Sequence, residues 1–161
     1  MKGLLLGLPG EGGTWSPGRA VVAGLLGALA NSVAIRMSRA LGVEAGTSGL
    51  SKWLAAHLNL WLHLRLPTHL PPPAQEAFHT AIGIIAALLY AALFYARVPG
   101  PGWLRGLIFC QVMWAVQSLV VLPWLGKGYF GLRISPFAPA WSWGLNAIFG
   151  VILGLVYAPS R

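Results

Sequence analysis

Residues 74–95 read AQEAFHTAIGIIAALLYAALFY. From Ala77 to Tyr95 there are 19 residues without Asp, Glu, Lys or Arg, a helix of about 28 Å at 1.5 Å per residue. That length matches the roughly 30 Å hydrocarbon core of a bilayer, so the stretch predicts a transmembrane helix. Pro71, Pro72 and Pro73 lead into it, and Gln75 and Glu76 stand in its first turn. Prolines cost little where N–H groups have no intrahelical partner, and an acid there meets the positive end of the helix.

Three further stretches read the same way. The first, 19–41, has an uncharged core over 20–35 and ends in Arg36 and Arg39, which are placed to snorkel to the interface, the alternative being that one of them faces a polar cavity. The third, 103–122, is closed by Pro123 and Gly126, and the fourth, 140–157, by Pro159. Trp15, Trp53, Trp103, Trp124, Trp141, Trp143, Tyr95 and Tyr157 cluster at the span ends, as interfacial aromatics do. The expected architecture is all-α, a single integral membrane domain over 1–161 built as a four-helix bundle.

Composition agrees. Of 161 residues, 57% are hydrophobic and 9% charged, against about 25% charged in soluble domains. The net charge of +8 comes from cations scattered at span ends, with no basic stripe or stacking platform, which argues for lipid phosphates as the partner and against nucleic acid. One cysteine, Cys110, permits neither an internal disulfide nor a thiolate metal set. The apolar run at 3–8 is broken by Pro9 and is short for a signal peptide. Lys2, Arg19, Arg97, Arg105 and Arg161 fall to one side of the bilayer and Arg36, Arg39, Lys52, Arg65, Lys127 and Arg133 to the other, a split too even to set orientation.

Between the first two spans, residues 57–66 alternate strictly as HLNLWLHLRL, a strand period. A helix is the better reading, because leucine favours helices and an open strand edge beside lipid is costly. From Leu50 onward, Leu54, Leu58, Trp61, Leu62 and Leu66 then form one stripe, with Lys52, Asn59 and His63 opposite. This predicts an interfacial amphipathic helix over 50–66, followed by a stiff linker at 68–73.

The second and fourth spans also match each other at an offset of 67: Gly83, Ile85, Leu88, Tyr90 and Ala91 recur as Gly150, Ile152, Leu155, Tyr157 and Ala158. The first and third match at 86, with Arg19 over Arg105 and Asn31-Ser32 over Gln117-Ser118. The two offsets differ by 19 residues, close to the length of the interfacial segment. Two duplicated hairpins are expected, the first enlarged by that segment, with a pseudo-axis along the membrane normal. Gly83, Ala87 and Ala91, then Gly150, Gly154 and Ala158, are small residues four apart, as are Ala20, Gly24, Ala28 and Ser32. Such rows let helix backbones approach closely in lipid.

The intramembrane polar residues Asn31, Gln111, Gln117, Ser118 and Asn146 are expected to hydrogen-bond between helices, with a polar path along the Gln111, Trp114 and Ser118 face as the alternative. No acid lies deep in a span, which disfavours proton- or cation-coupled transport. Among four histidines only His79 falls within a span, where it is the candidate ligand for a pigment or metal; a facing second imidazole is replaced by Asn146. His57 and His63 are six apart and do not form a zinc pair. No metal site and no catalytic set is expected, with Glu11, Glu44 and Glu76 the only acids. A bound lipid or pigment is the one cofactor class left open.

His79 with Gly83 and Tyr90, Arg105-Gly106-Leu107 with Phe109, Leu122-Pro123-Trp124-Leu125-Gly126 with Gly128, Phe130 and Gly131, and the closing run from Gly150 to Tyr157 together carry a resemblance. Over about half of its length the chain resembles a group of small four-helix bacterial inner-membrane proteins with no assigned activity. Asn146, where that group repeats the histidine, departs from the pattern, and so does the 57–66 segment. The resemblance implies a bacterial inner membrane. The functional expectation is a non-catalytic accessory subunit packed against other membrane subunits, respiratory or photosynthetic. A small-solute transporter or channel, or a lipid- or pigment-binding protein, are the alternatives.

Overall fold

A computed structural model describes residues 15–40, 49–63, 65, 67 and 70–158. Expectations for residues 3–8, Leu66, His69 and Pro159, and for the side chains of Arg39, Leu50, Lys52 and Trp53, lie outside the described residues.

Five longer helices carry the chain: α1 (Pro17–Ala40), α2 (Gly49–Leu62), α3 (Pro72–Phe94), α4 (Gly102–Trp124) and α5 (Ala138–Tyr157). All but α2 are long and apolar enough to cross a bilayer, which fits an integral membrane protein. Only 22% of the apolar window of α3 is buried inside the bundle, and Leu29, Val33, Met37, Leu93, Val120 and Leu155 are all exposed. Apolar exposure on this scale suits lipid contact. Proline begins α1 and α3, precedes α4 at Pro101, and falls in the first turn of α5 at Pro139. At these positions the missing N–H is one of the helix's unpaired donors.

Two spans contain a wide π-helical turn. In α3 it covers Tyr90–Phe94 and closes with Tyr95 N–H on Tyr90 O at 2.8 Å. In α4 it covers Gln117–Val121 and closes with Leu122 N–H on Gln117 O. Pro123 follows directly; it has no N–H and its ring crowds the carbonyl four residues back. The wide turn at that point accommodates the proline while the helix continues to Trp124. The loop that follows is turned by Gly126 (φ +71°) and Gly131 (φ +76°), a region that penalises other residues. Phe130 also sits at φ +56°, its ring 5.6 Å from Trp114.

The bundle is packed in the spatial order α3, α1, α5, α4, so sequence neighbours pair within each hairpin and α1 joins the hairpins through α5. Its seams are places of close backbone approach. A Cβ on Gly24 would lie 2.8 Å from Ile84 Cα, and one on Gly150 would lie 2.7 Å from Gly106 O and 2.9 Å from Cys110 Cβ. Gly83, Ala28 and Ala87 complete the α1–α3 seam, and Gly154 and Ala158 face Gly102 across the α4–α5 seam. Ala91 and Ser32 are buried as well. Gly144 has open space around it, so Gly144→Ala should be neutral or stabilising by up to about 1 kcal/mol, the difference in helix propensity. Reversible unfolding in mixed micelles would measure this.

The α2 segment is helical, as its leucine content predicts, and ends at Leu62, before His63 at φ +50°. Leu54, Trp61 and Leu62 of its stripe are exposed, while His57 sets its ring 6.5 Å from Trp124. The alternating pattern is therefore helical as far as Leu62, with a stripe available to the bilayer surface, and the helix stops short of the expected end at residue 66. Among the aromatics assigned to the lipid interface, Trp15, Trp103, Trp124 and Trp143 are exposed. Tyr157 is not: it is buried in the core, and its hydroxyl accepts the Ser16 N–H at 3.3 Å.

Candidate functional site

The end of the bundle holding Ser16, Phe94, Gly102 and Tyr157 is closed by rings. Tyr90, fully buried, lies 5.4 Å from Phe109, 5.7 Å from Tyr157, 5.8 Å from Tyr95 and 6.3 Å from Phe94, centroid to centroid. Arg105 stacks over Tyr95 at 4.8 Å and donates to its carbonyl at 3.2 Å. Here α3 meets α4.

Toward the opposite end the two helices diverge. The α4 face carrying Met113, Val116, Gln117 and Val120 is exposed, as is Ile82 on α3. The result is a cleft between α3 and α4 in the half of the bundle that ends at Pro72 and Trp124. A polar layer lies alongside it. At mid-depth the Phe149 ring of α5 rests on the Gly27 and Gly83 positions, joining three helices. Asn31, His79 and Asn146 each fall four residues or fewer beyond that contact on α1, α3 and α5, so helical register sets them at one level.

These groups differ in how they are satisfied. Asn146 Nδ2 donates to Ser142 O at 2.9 Å, and Ser142 Oγ accepts Trp114 Nε1–H at 2.9 Å while donating to Pro139 O at 3.2 Å. Trp114 thus ties α4 to α5 and packs on Phe130. By contrast, Asn31 Oδ1, Ser32 Oγ, His79 Nε2, Ser118 Oγ and both amide atoms of Gln111 are buried without a hydrogen-bond partner among the described residues. Gln117 of α4 is exposed. One turn above Asn31 and His79, Arg36 reaches Glu76 at 3.6 Å, an ion pair with Arg36 exposed and Glu76 half-buried.

Chemically, this arrangement offers neutral hydrogen-bonding groups in an apolar setting. Among the described residues no three His, Cys, Asp or Glu side chains gather into a metal site. Cys110 is buried against Gly150. Sequence reasoning named the polar residues of the layer other than Ser142, the partner of Trp114 and Asn146, and missed Gly27, Gly102, Gly106 and Phe149 as packing centres. The spacing of Gly102, Gly106 and Cys110, four apart, was the available signal; the reach of Phe149 across to two other helices had none. No protein family, curated protein or solved structure matches the chain.

Proposed function

We propose that this protein is a non-catalytic accessory subunit of a larger membrane assembly in a bacterial inner membrane, respiratory or photosynthetic, and that the α3–α4 cleft receives a partner's transmembrane helix. The observation that carries this reading is Gln117. Its side chain is exposed seven residues inside Trp124, about 10 Å from the helix end, where lipid cannot hydrogen-bond an amide. A polar group on a partner helix satisfies it, and polar side chains commonly join helices this way. The duplication expected from the sequence points to the same surface. It makes α1–α5 and α3–α4 equivalent pairs, and only the first is closely packed. The transport alternative would use the Gln111, Trp114 and Ser118 face, but Trp114 there is bonded to Ser142 and stacked on Phe130, which favours the accessory reading.

The test is purification from native membranes in mild detergent. The expected result is retention of another membrane chain, with Gln117→Leu weakening that association about fivefold, the loss of a hydrogen bond worth about 1 kcal/mol, while the variant's own unfolding is unchanged. Recovery of only a monomer or homodimer from wild type would sink the proposal.

A further inference from the structure

We propose that the loop between α4 and α5 binds the phosphodiester headgroup of a net-anionic glycerophospholipid, with Lys127 and Arg133 as its two cationic contacts. The turn is held from within. Gly126, Gly128 and Gly131 all take positive φ, at +71°, +73° and +76°, and two backbone hydrogen bonds close on Lys127: its N–H donates to Leu122 O at 2.9 Å, and its carbonyl accepts from Arg133 N–H at 3.1 Å. By the bond lengths of the peptide unit, that second bond holds the Lys127 and Arg133 Cα atoms within about 7 Å of each other. The Arg133 stem lies against Gly128, next to Lys127, where a Cβ would stand 3.0 Å from Arg133 Cγ. Two long side chains rooted so close can both reach one phosphate, the guanidinium as a fork and the ammonium as a point charge.

Position and charge select the occupant. The loop is pinned to the ends of two spans: Gly131 sits against Leu122 and Ala138, and the Phe130 ring lies 5.6 Å from Trp114. It therefore stays at the membrane boundary, where lipid phosphates lie. Trp124, Tyr129, Leu132 and Phe137 are exposed along it, so aromatic and apolar surface for the glycerol and upper acyl region flanks the cations. No Asp or Glu occurs over 122–137, and the ion pair found among the described residues, Arg36 with Glu76, involves neither cation of the loop. A zwitterionic headgroup would bring its own ammonium against two positive charges; a net-negative one neutralises them. A free phosphate would match the cations but leave the rings in water, and the rings are the reason for a lipid. The cations at the other end of the bundle differ. Arg97 donates to the Leu93 and Ala92 carbonyls, and Arg105 donates to Tyr95 O and stacks on that ring, so the chain itself engages both guanidinium groups. This inference is independent of the partner-helix reading.

The experiment uses the full chain labelled with 3-fluorotyrosine, in phosphatidylcholine nanodiscs with a rising fraction of phosphatidylglycerol, read by fluorine NMR. Tyr129, two residues from Lys127, reports the loop and is assigned by Tyr129→Phe; Tyr90, Tyr95 and Tyr157 pack together at the other end of the bundle and report the fold. The expected result is a saturable shift of the Tyr129 resonance with phosphatidylglycerol. Lys127→Gln and Arg133→Gln should each raise the half-saturating fraction about fivefold, the equivalent of about 1 kcal/mol per cation near the surface. The double variant should lose saturation, and Arg97→Gln should change nothing, with the other tyrosine resonances in place throughout. A wild-type Tyr129 resonance that ignores phosphatidylglycerol, or one that responds equally in the double variant, would overturn the proposal. So would the same saturable shift on adding soluble glycerophosphoglycerol or inorganic phosphate to pure phosphatidylcholine nanodiscs, because the site would then bind the anion without its lipid.

Discussion

Gly154→Leu is expected to separate α4 from α5 and to leave little folded protein in the membrane. A Cβ at this position would stand 2.7 Å from Gly102 C and 3.0 Å from Trp103 Cα. The obstructing atoms are backbone, so no side-chain rotation relieves the clash and the helices must move apart. Overpacking costs typically 1–3 kcal/mol and occasionally more; with backbone on both sides the cost here is about 3 kcal/mol or above. The displacement also removes contacts at Gly150, whose own Cβ position lies 3.0 Å from Leu107 Cα. Gly154→Ala should show part of the loss. Denaturant titration in mixed micelles, with Gly144→Ala as the open-space comparison, checks both magnitude and site specificity. Equal stabilities for Gly154→Leu and wild type would mean that α4 and α5 do not meet along this seam.

Tyr90→Ala should cost about 3–5 kcal/mol, the range for removing a large buried aromatic. Tyr90 is the ring on which Phe94, Tyr95, Phe109 and Tyr157 converge, and it sits where α3 and α4 meet. Without it the cleft extends to the other end of the bundle. Tyr90→Phe should behave in the opposite way. The Tyr90 hydroxyl is buried without a partner, so its removal keeps the ring contacts and relieves an unsatisfied polar atom, a change between neutral and about 1 kcal/mol stabilising. Unfolding measurements on the pair separate ring packing from the hydroxyl. If Tyr90→Phe were as damaging as Tyr90→Ala, the hydroxyl would have to hold a hydrogen bond to a bound group.

Much of this was legible in the residues because a bilayer constrains backbone so strongly. Every N–H and C=O in hydrocarbon must be paired within the segment, so apolar length alone located the spans to within a few residues of the helices at Pro17–Ser38, Pro72–Phe94, Gly102–Trp124 and Ala138–Tyr157. Prolines marked their starts for the same local reason. The helical reading of 57–66 against its strand-like alternation also rested on local physics, and α2 extends to Leu62. Small residues four apart, such as Gly83 with Ala87 and Gly150 with Gly154, identified faces for close approach.

What those faces would meet was a different matter. Helical periodicity places Tyr157 at a span end, where aromatics usually face the interface, yet the Tyr90 and Tyr95 rings and the Ser16 N–H draw it into the core. Nothing local distinguishes Asn146, satisfied by Ser142 on its own helix, from Asn31, whose oxygen is buried and unpaired. The sequence by itself determined the number, extent and helical character of the spans, because those follow from one segment and its solvent. Only the tertiary structure decided that α3 and α4 meet at Tyr90 and part beyond it, leaving Gln117 exposed and Asn31, Ser32 and His79 enclosed. That depends on which neighbour each helix packs against, and in lipid the choice is made by contacts between helices rather than by apolar burial.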